Sequence, residues 1–343
     1  MSDTPIYTDV DFERPGKQVS RLCIPHSYNL SGWANIQLPV ACIRNGEGPT
    51  VVLMAGNHGD EYPGQVAILN LIRQLEPAMI TGRLIMLPQL NVPAARAATR
   101  LSPLDGKNLN RCFPGNPAGT ACDIIAHYLT TVLFPLADSV VDLHTGGRGI
   151  YFYPCAHMHL VDDLAQRRRM ARGALAYNTD FAFLYADVAG HGLLPVEAES
   201  QGKTIVTTEM GGGEVVPAEV HRLSQQGLSN VLIHLGVLLG EERTRADLGL
   251  PPTRWIQALD GGDYIFAEES GLFEACTPLA SDVAAGELLG RIHFPENPRR
   301  PALEITAPTA GVLIAYRGPT LTAQGDLVAC LAHDVPPAIL DTF

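Results

Sequence analysis

Between residues 50 and 240 the chain alternates between two hydrophobic rhythms. Continuous apolar runs occur at 51–56 (VVLMAG), 82–91 (GRLIMLPQLN), 139–147 (SVVDLHTGG) and 203–213 (KTIVTTEMGGG). Runs of this kind predict strands covered on both faces. The segments between them, 63–77, 120–137, 160–178 and 217–238, carry the spacing of amphipathic helices, the first opened by Pro63. The alternation predicts an α/β fold: a mostly parallel mixed sheet with flanking helices. Before it, RLCIPH and WANIQLPVACIRNG (21–26 and 33–46) read as short strands with turn breaks. After it, the charged, Pro-containing stretch 241–256 reads as a linker. From 257 to 343, short strands separated by Gly and Asp turns predict a smaller C-terminal all-β domain. The expected organisation is therefore a catalytic-type domain over 1–240, a linker over 241–256 and a β-rich domain over 257–343.

Composition narrows the function classes. The 343 residues are 46% hydrophobic and 17% charged, with a formal net charge of -12. That balance fits a globular protein and disfavours nucleic acid and anionic membrane as partners. No apolar run is long enough to span a bilayer, and the N-terminus lacks a basic region followed by an apolar stretch. The seven cysteines are odd in number and contain no C-x-x-C pair, which argues for a reducing, cytoplasmic setting. The pattern leaves oligomeric state open; a homo-oligomer is allowed.

Open α/β sheets bind ligands beyond the carboxyl ends of their strands. Here those ends carry His58 and Glu61, then His144, then Glu209. Two imidazoles and a carboxylate make a donor set suited to a catalytic zinc with one open position. On its own an H-x-x-E pair is more often structural, and His144 alone could be a core histidine. His157 and His159 in CAHMHL read as an incidental pair rather than a second metal site.

Four strings in order, GNHGDE (56–61), NLNRCFPG (108–115), DLHTGG (142–147) and TTEMGGG (207–213), resemble the succinylglutamate desuccinylase/aspartoacylase family. That family is a branch of the zinc carboxypeptidase-like fold. The longer strings at 56–65 and 87–115 are similar to its Nα-acetyl-L-2,4-diaminobutyrate deacetylase branch, which acts in ectoine breakdown. The resemblance implies one Zn(2+) per chain held by His58, Glu61 and His144, with Glu209 as the catalytic carboxylate. It implies that Asn110 and Arg111 bind the substrate's α-carboxylate. Arg100, with Arg96 as competitor, takes the place of an arginine at the scissile carbonyl. One departure stands out. The family often carries an acid where this chain has Asn108, orienting a ligand histidine. An amide oxygen can still accept from an imidazole N–H, and Asp60 and Asp142 are nearby acids, Asp142 on the same strand face as His144.

Each implied role has a physical basis. Zinc activates water and polarises an amide carbonyl. A carboxylate can take a proton and pass it to the leaving amine, an arginine can stabilise an oxyanion, and a second arginine can grip a carboxylate. The expected function is zinc-dependent amide hydrolysis of a small N-acyl amino acid, with removal of Nα-acetyl from 2,4-diaminobutyrate foremost. The alternatives are a deacylase of acidic N-acyl amino acids, a carboxypeptidase, or a metal-binding homologue without catalysis. A substrate ammonium would pair with an acid such as Asp187, Glu199, Glu268 or Glu269. The C-terminal domain is expected to cap the cleft, with FAEESGLFE (266–274) beside the zinc.

Overall fold

The computed structural model describes residues 4–185 and 191–343. Two long antiparallel strands open it, β1 (Gly16–Tyr28) and β2 (Ser31–Asn45). There follow β3 (Thr50–Ala55), β4 (Gly82–Leu87), β5 (Ser139–His144), β6 (Ile150–Phe152), β7 (Cys155–Met158), β8 (Phe181–Tyr185), β9 (Thr204–Glu209) and β10 (Arg254–Ala258). The main sheet runs β1-β2-β4-β3-β5-β9-β7-β8-β10 and continues through Leu327–Asp334, Gly311–Arg317 and Asp282–Val283. A second, four-stranded antiparallel sheet lies in the C-terminal region.

The main sheet is mixed in a specific way. Strands β4, β3, β5 and β9 are mutually parallel, as are β7, β8 and β10, but β7 meets β9 antiparallel. Two parallel blocks of opposite direction thus abut at the β9–β7 seam. Alternate residues of β3 enter different cores: Val52 and Met54 join one cluster, Val51, Leu53 and Ala55 the other. That two-sided burial is why the run carries no polar position.

The expected helices form at Tyr62–Gln74, Ala121–Tyr128, Leu164–Ala176 and Ala218–His234. Asp163 caps the third, accepting from Gln166 N at 2.7 Å. Four elements escaped the hydrophobic pattern. Strands β7 and β8 are only four and five residues long. Glu199 lies on a short helix, Leu194–Ser200. The strand β10 begins inside the expected 241–256 linker, because Arg254–Ala258 pairs in parallel with β8. Among the described residues, no helix is long and apolar enough to cross a membrane.

Candidate active site

The turn from β3 into helix Tyr62–Gln74 brings His58 beside Glu61. Gly59 permits this path: a Cβ there would lie 2.1 Å from the Ala94 carbonyl carbon. Glu61 occupies the N-cap position yet makes no side-chain capping bond. Its carboxylate serves the histidines instead. Oε1 lies 2.7 Å from His58 Nδ1 and Oε2 lies 2.9 Å from His144 Nδ1. The Thr145 N–H donates to Oε2 at 3.1 Å.

The far nitrogens are held as well. His58 Nε2 faces Asn108 Oδ1 at 3.0 Å, and that oxygen also accepts from Asn110 N at 2.9 Å. His144 Nε2 faces Asp142 Oδ2 at 2.9 Å. Asn108 therefore accepts an imidazole N–H as its amide chemistry allows, and Asp142 supplies the carboxylate partner of the other ring. Asp60 does not back a histidine: it lines the cavity, its Oδ2 accepting from Arg148 N at 2.9 Å and its Oδ1 buried without a partner. With both Nε2 atoms donating outward, both Nδ1 lone pairs turn toward the Glu61 oxygens. The ligand atoms of His58, Glu61 and His144 all lie within 4.8 Å of one another. Lone pairs converging in a buried site call for a cation between them. Two imidazoles and a carboxylate fit zinc.

Electrostatics at the site are uneven. Burial holds His58 below the usual histidine range. Burial also opposes a charged His144, but the Asp142 and Glu61 carboxylates outweigh it and raise the ring well above that range, so a cation binding there displaces the Nδ1 proton to free its lone pair. Burial would raise Glu61, yet the two imidazoles beside it leave its carboxyl well below the usual carboxylate range. Glu209 behaves oppositely: burial, then the Glu61 carboxylate, pushes it up to about 8.

Glu209 ends β9 and pairs in register with His144. Its Oε2 is buried with no hydrogen-bond partner. Both residues line a cavity of about 360 Å3, together with His58, Glu61, Arg100, Asn110 and Arg111. Arg100 Nη1 reaches His58 Nδ1 at 3.3 Å and Glu61 Oε1 at 3.5 Å. Arg96 is exposed and not among the lining residues. Asn110 Oδ1 accepts from Leu194 N at 2.8 Å, which turns its amide NH2 into the end available to a ligand. Gly192 is needed for that contact: its φ is +84°, and a Cβ would meet Arg111 O at 2.6 Å. Cys112 lies beside the motif but outside the cavity lining, its Sγ donating to Asn108 O at 3.3 Å.

Two expectations are corrected. No described residue of the C-terminal region lines the cavity, so FAEESGLFE does not sit beside the metal ligands. That region acts one layer back: Gly311–Arg317 pairs with β6, whose Ile150 and Phe152 form a cavity wall. Nor do the three described acids of the four named ones line the cavity. Glu199 is engaged by His159 Nδ1 at 2.9 Å, Glu269 by Arg300 at 2.6 Å, and neither these two nor Glu268 line the cavity. Asp187 lies outside the described residues. Conversely, His157 and Tyr185 line the cavity although neither was singled out for the substrate pocket. Among the described residues, His58, Glu61 and His144 are the one group of three or more such side chains placed to hold a metal ion.

Residues 47–235 match the model of the succinylglutamate desuccinylase/aspartoacylase catalytic domain. An N-alpha-acetyl-L-2,4-diaminobutyric acid deacetylase from Halomonas elongata is 37% identical over 332 residues, covering 97% of this chain and 96% of that one. The product-bound ectoine utilization protein EutE (DoeB) from Ruegeria pomeroyi superposes with a TM-score of 0.92 at 38% identity, covering 96% of this chain and 99% of that chain. A succinylglutamate desuccinylase from Silicibacter sp. matches with a TM-score of 0.92 at 36% identity, covering 98% and 100%. By a family match over more than half its length, and by relatives alike from end to end, this chain belongs to the succinylglutamate desuccinylase/aspartoacylase family.

Proposed function

We propose that this chain is a zinc-dependent deacetylase that hydrolyses Nα-acetyl-L-2,4-diaminobutyrate to L-2,4-diaminobutyrate and acetate, as a step of ectoine breakdown. The observation that carries the chemistry is one cavity lined by three side chains placed to hold a metal and by Glu209, whose buried Oε2 has no hydrogen-bond partner. The substrate assignment is supported by the end-to-end likeness to the Halomonas elongata deacetylase.

His58 Nδ1, His144 Nδ1 and the Glu61 carboxylate would hold one zinc, which supplies Lewis acidity toward water and the acyl carbonyl when bound. Glu209 takes a proton from the attacking water and delivers it to the α-nitrogen as the C–N bond breaks and the C–O bond forms. Burial suits it to both tasks, because a carboxyl near neutrality gives and takes a proton at little cost. Arg100, half-exposed at the cavity mouth, stabilises charge growing on the acyl oxygen. Arg111 and the Asn110 amide NH2 hold the α-carboxylate.

A deacylase of acidic N-acyl amino acids would need a further cation for its second carboxylate. Among the described residues Arg100 and Arg111 are the only Lys or Arg side chains lining the cavity, and both have tasks. The test is acid release from a panel of Nα-acyl amino acids by zinc-loaded protein, with metal content measured on the same sample. Acetyl-diaminobutyrate should outpace acetyl-aspartate and succinylglutamate by a wide margin. Faster turnover of either acidic substrate would overturn the substrate assignment and leave the hydrolytic site intact.

A further inference from the structure

The β9–β7 seam carries a second unsatisfied group. His157 sits opposite Thr207 in register, two rungs from the pair Glu209 and Cys155. It is 4% exposed, lines the same cavity as the metal ligands, and its Nε2 has no hydrogen-bond partner. Its tautomer follows from its neighbour. The Thr207 hydroxyl has one proton, and it donates that proton to the His157 carbonyl at 2.6 Å. Toward His157 Nδ1, 3.0 Å away, the same hydroxyl oxygen can only accept. Nδ1 therefore carries the proton, and Nε2 presents a bare lone pair. Burial, reinforced by His144 and His159, holds the ring well below the usual histidine range, so it is neutral and does not repel a cation.

We propose that His157 Nε2 accepts a hydrogen bond from the side-chain ammonium of the bound substrate, making His157 a specificity-determining residue of the cavity. The inference rests on the substrate reading above. It extends that reading to the β7 wall of the cavity, which the described acids Glu199, Glu268 and Glu269 do not line. The segment carrying Leu193 and Pro195 links the two ends: Leu194 N holds Asn110, and Leu193 and Pro195 line the cavity that His157 also lines. The Tyr185 ring, 4.8 Å from the His157 ring, adjoins it on that wall. A short side chain tipped with a donor satisfies Nε2. A side chain tipped with a carboxylate sets lone pair against lone pair and leaves the buried nitrogen unpaired, which is a strong basis for rejection.

The experiment compares kcat/KM for Nα-acetyl-L-2,4-diaminobutyrate with that for Nα-acetyl-L-2-aminobutyrate, which lacks only the ammonium. Zinc-loaded wild-type protein and His157→Leu are used, with melting temperature and metal content measured on both. His157→Leu should lower kcat/KM for the diamino substrate about 10- to 100-fold, mainly through KM, and change the other substrate by less than about twofold. His157→Gln, which keeps an acceptor oxygen, should recover part of the preference. If His157→Leu does not fold, Thr207→Val carries the test. It frees the ring tautomer, so it should shrink the preference severalfold with zinc content unchanged. Equal losses on both substrates, or a preference that persists, would overturn the inference. If wild-type protein prefers acetyl-aspartate to both, the substrate reading itself fails.

Discussion

The three would-be metal ligands and the two β9–β7 groups beside them are held in opposite ways, although Asn57, Asp60 Oδ1 and Asp142 Oδ1 on the ligand side also lack partners. On the β3–β5 side, every ligating group is held from behind: Asn108 on His58, Asp142 on His144, Thr145 N–H on Glu61. On the β9–β7 side, Glu209 Oε2 and His157 Nε2 are buried with no partner. Buried polar groups are ordinarily satisfied within the protein, and exceptions call for an explanation. The contrast divides the labour of the site. In the proposed reading, the ligand set is organised in advance for a resident cation, and the unpartnered Glu209 and His157 are completed by water and substrate.

Breaking the ligand set should have the largest effect. His144→Ala removes one of three ligands and leaves Glu61 and Asp142 as adjacent buried carboxylates without their shared imidazole. We expect zinc to be lost from the purified protein and hydrolysis to fall to background, read by metal analysis and acetate release. Full activity in protein shown to be metal-free would end the zinc assignment.

Breaking the other side should leave the metal in place. Glu209→Gln keeps shape and burial but cannot take a proton, so kcat should drop about 100- to 10,000-fold with zinc content unchanged. Glu209 must be ionised to act as base. Burial and the Glu61 carboxylate push it up to about 8, while His144 and Arg100 pull it down. Activity should therefore rise as pH increases through its ionisation. A bound cation favours the carboxylate and moves that midpoint below 8. The residual activity of Glu209→Gln should lack this acid limb; a limb unchanged in the variant would assign it to another group.

The two arginines sharpen the division further. Arg100→Ala should lower kcat about 100- to 1,000-fold, because the charge it stabilises arises in the transition state. Arg111→Ala should act mainly on KM, because the α-carboxylate it is proposed to grip is present throughout the reaction. The opposite kinetic pattern would mean that their roles are exchanged. The smallest of these effects should come from the support behind the ligands. Asp142→Asn should weaken zinc binding about 10- to 100-fold while saturating zinc restores most turnover. Unchanged zinc affinity in a competition with chelator would remove Asp142 from the metal site.

Much of this was legible along the chain because it depends on neighbours in sequence. The period of VVLMAG and SVVDLHTGG predicts buried strands, and buried parallel strands bring their C-terminal ends together. That alone gathers His58, Glu61, His144 and Glu209. Asp142 could be placed on the His144 face by counting two residues along a strand. The tertiary structure decided whatever depends on which strand lies beside which. The four-residue strand β7 is too short to show a period, and its reversal against β9 is what puts His157 opposite Thr207 and into the cavity. The same holds for the C-terminal region. Its strands were readable, but their partners were not: Gly311–Arg317 pairs with β6 and supports a cavity wall from behind, so FAEESGLFE has no place at the site. Strand pairing joins backbone groups far apart in the chain and leaves little mark on local sequence, whereas hydrophobic period, turns and caps act between near neighbours.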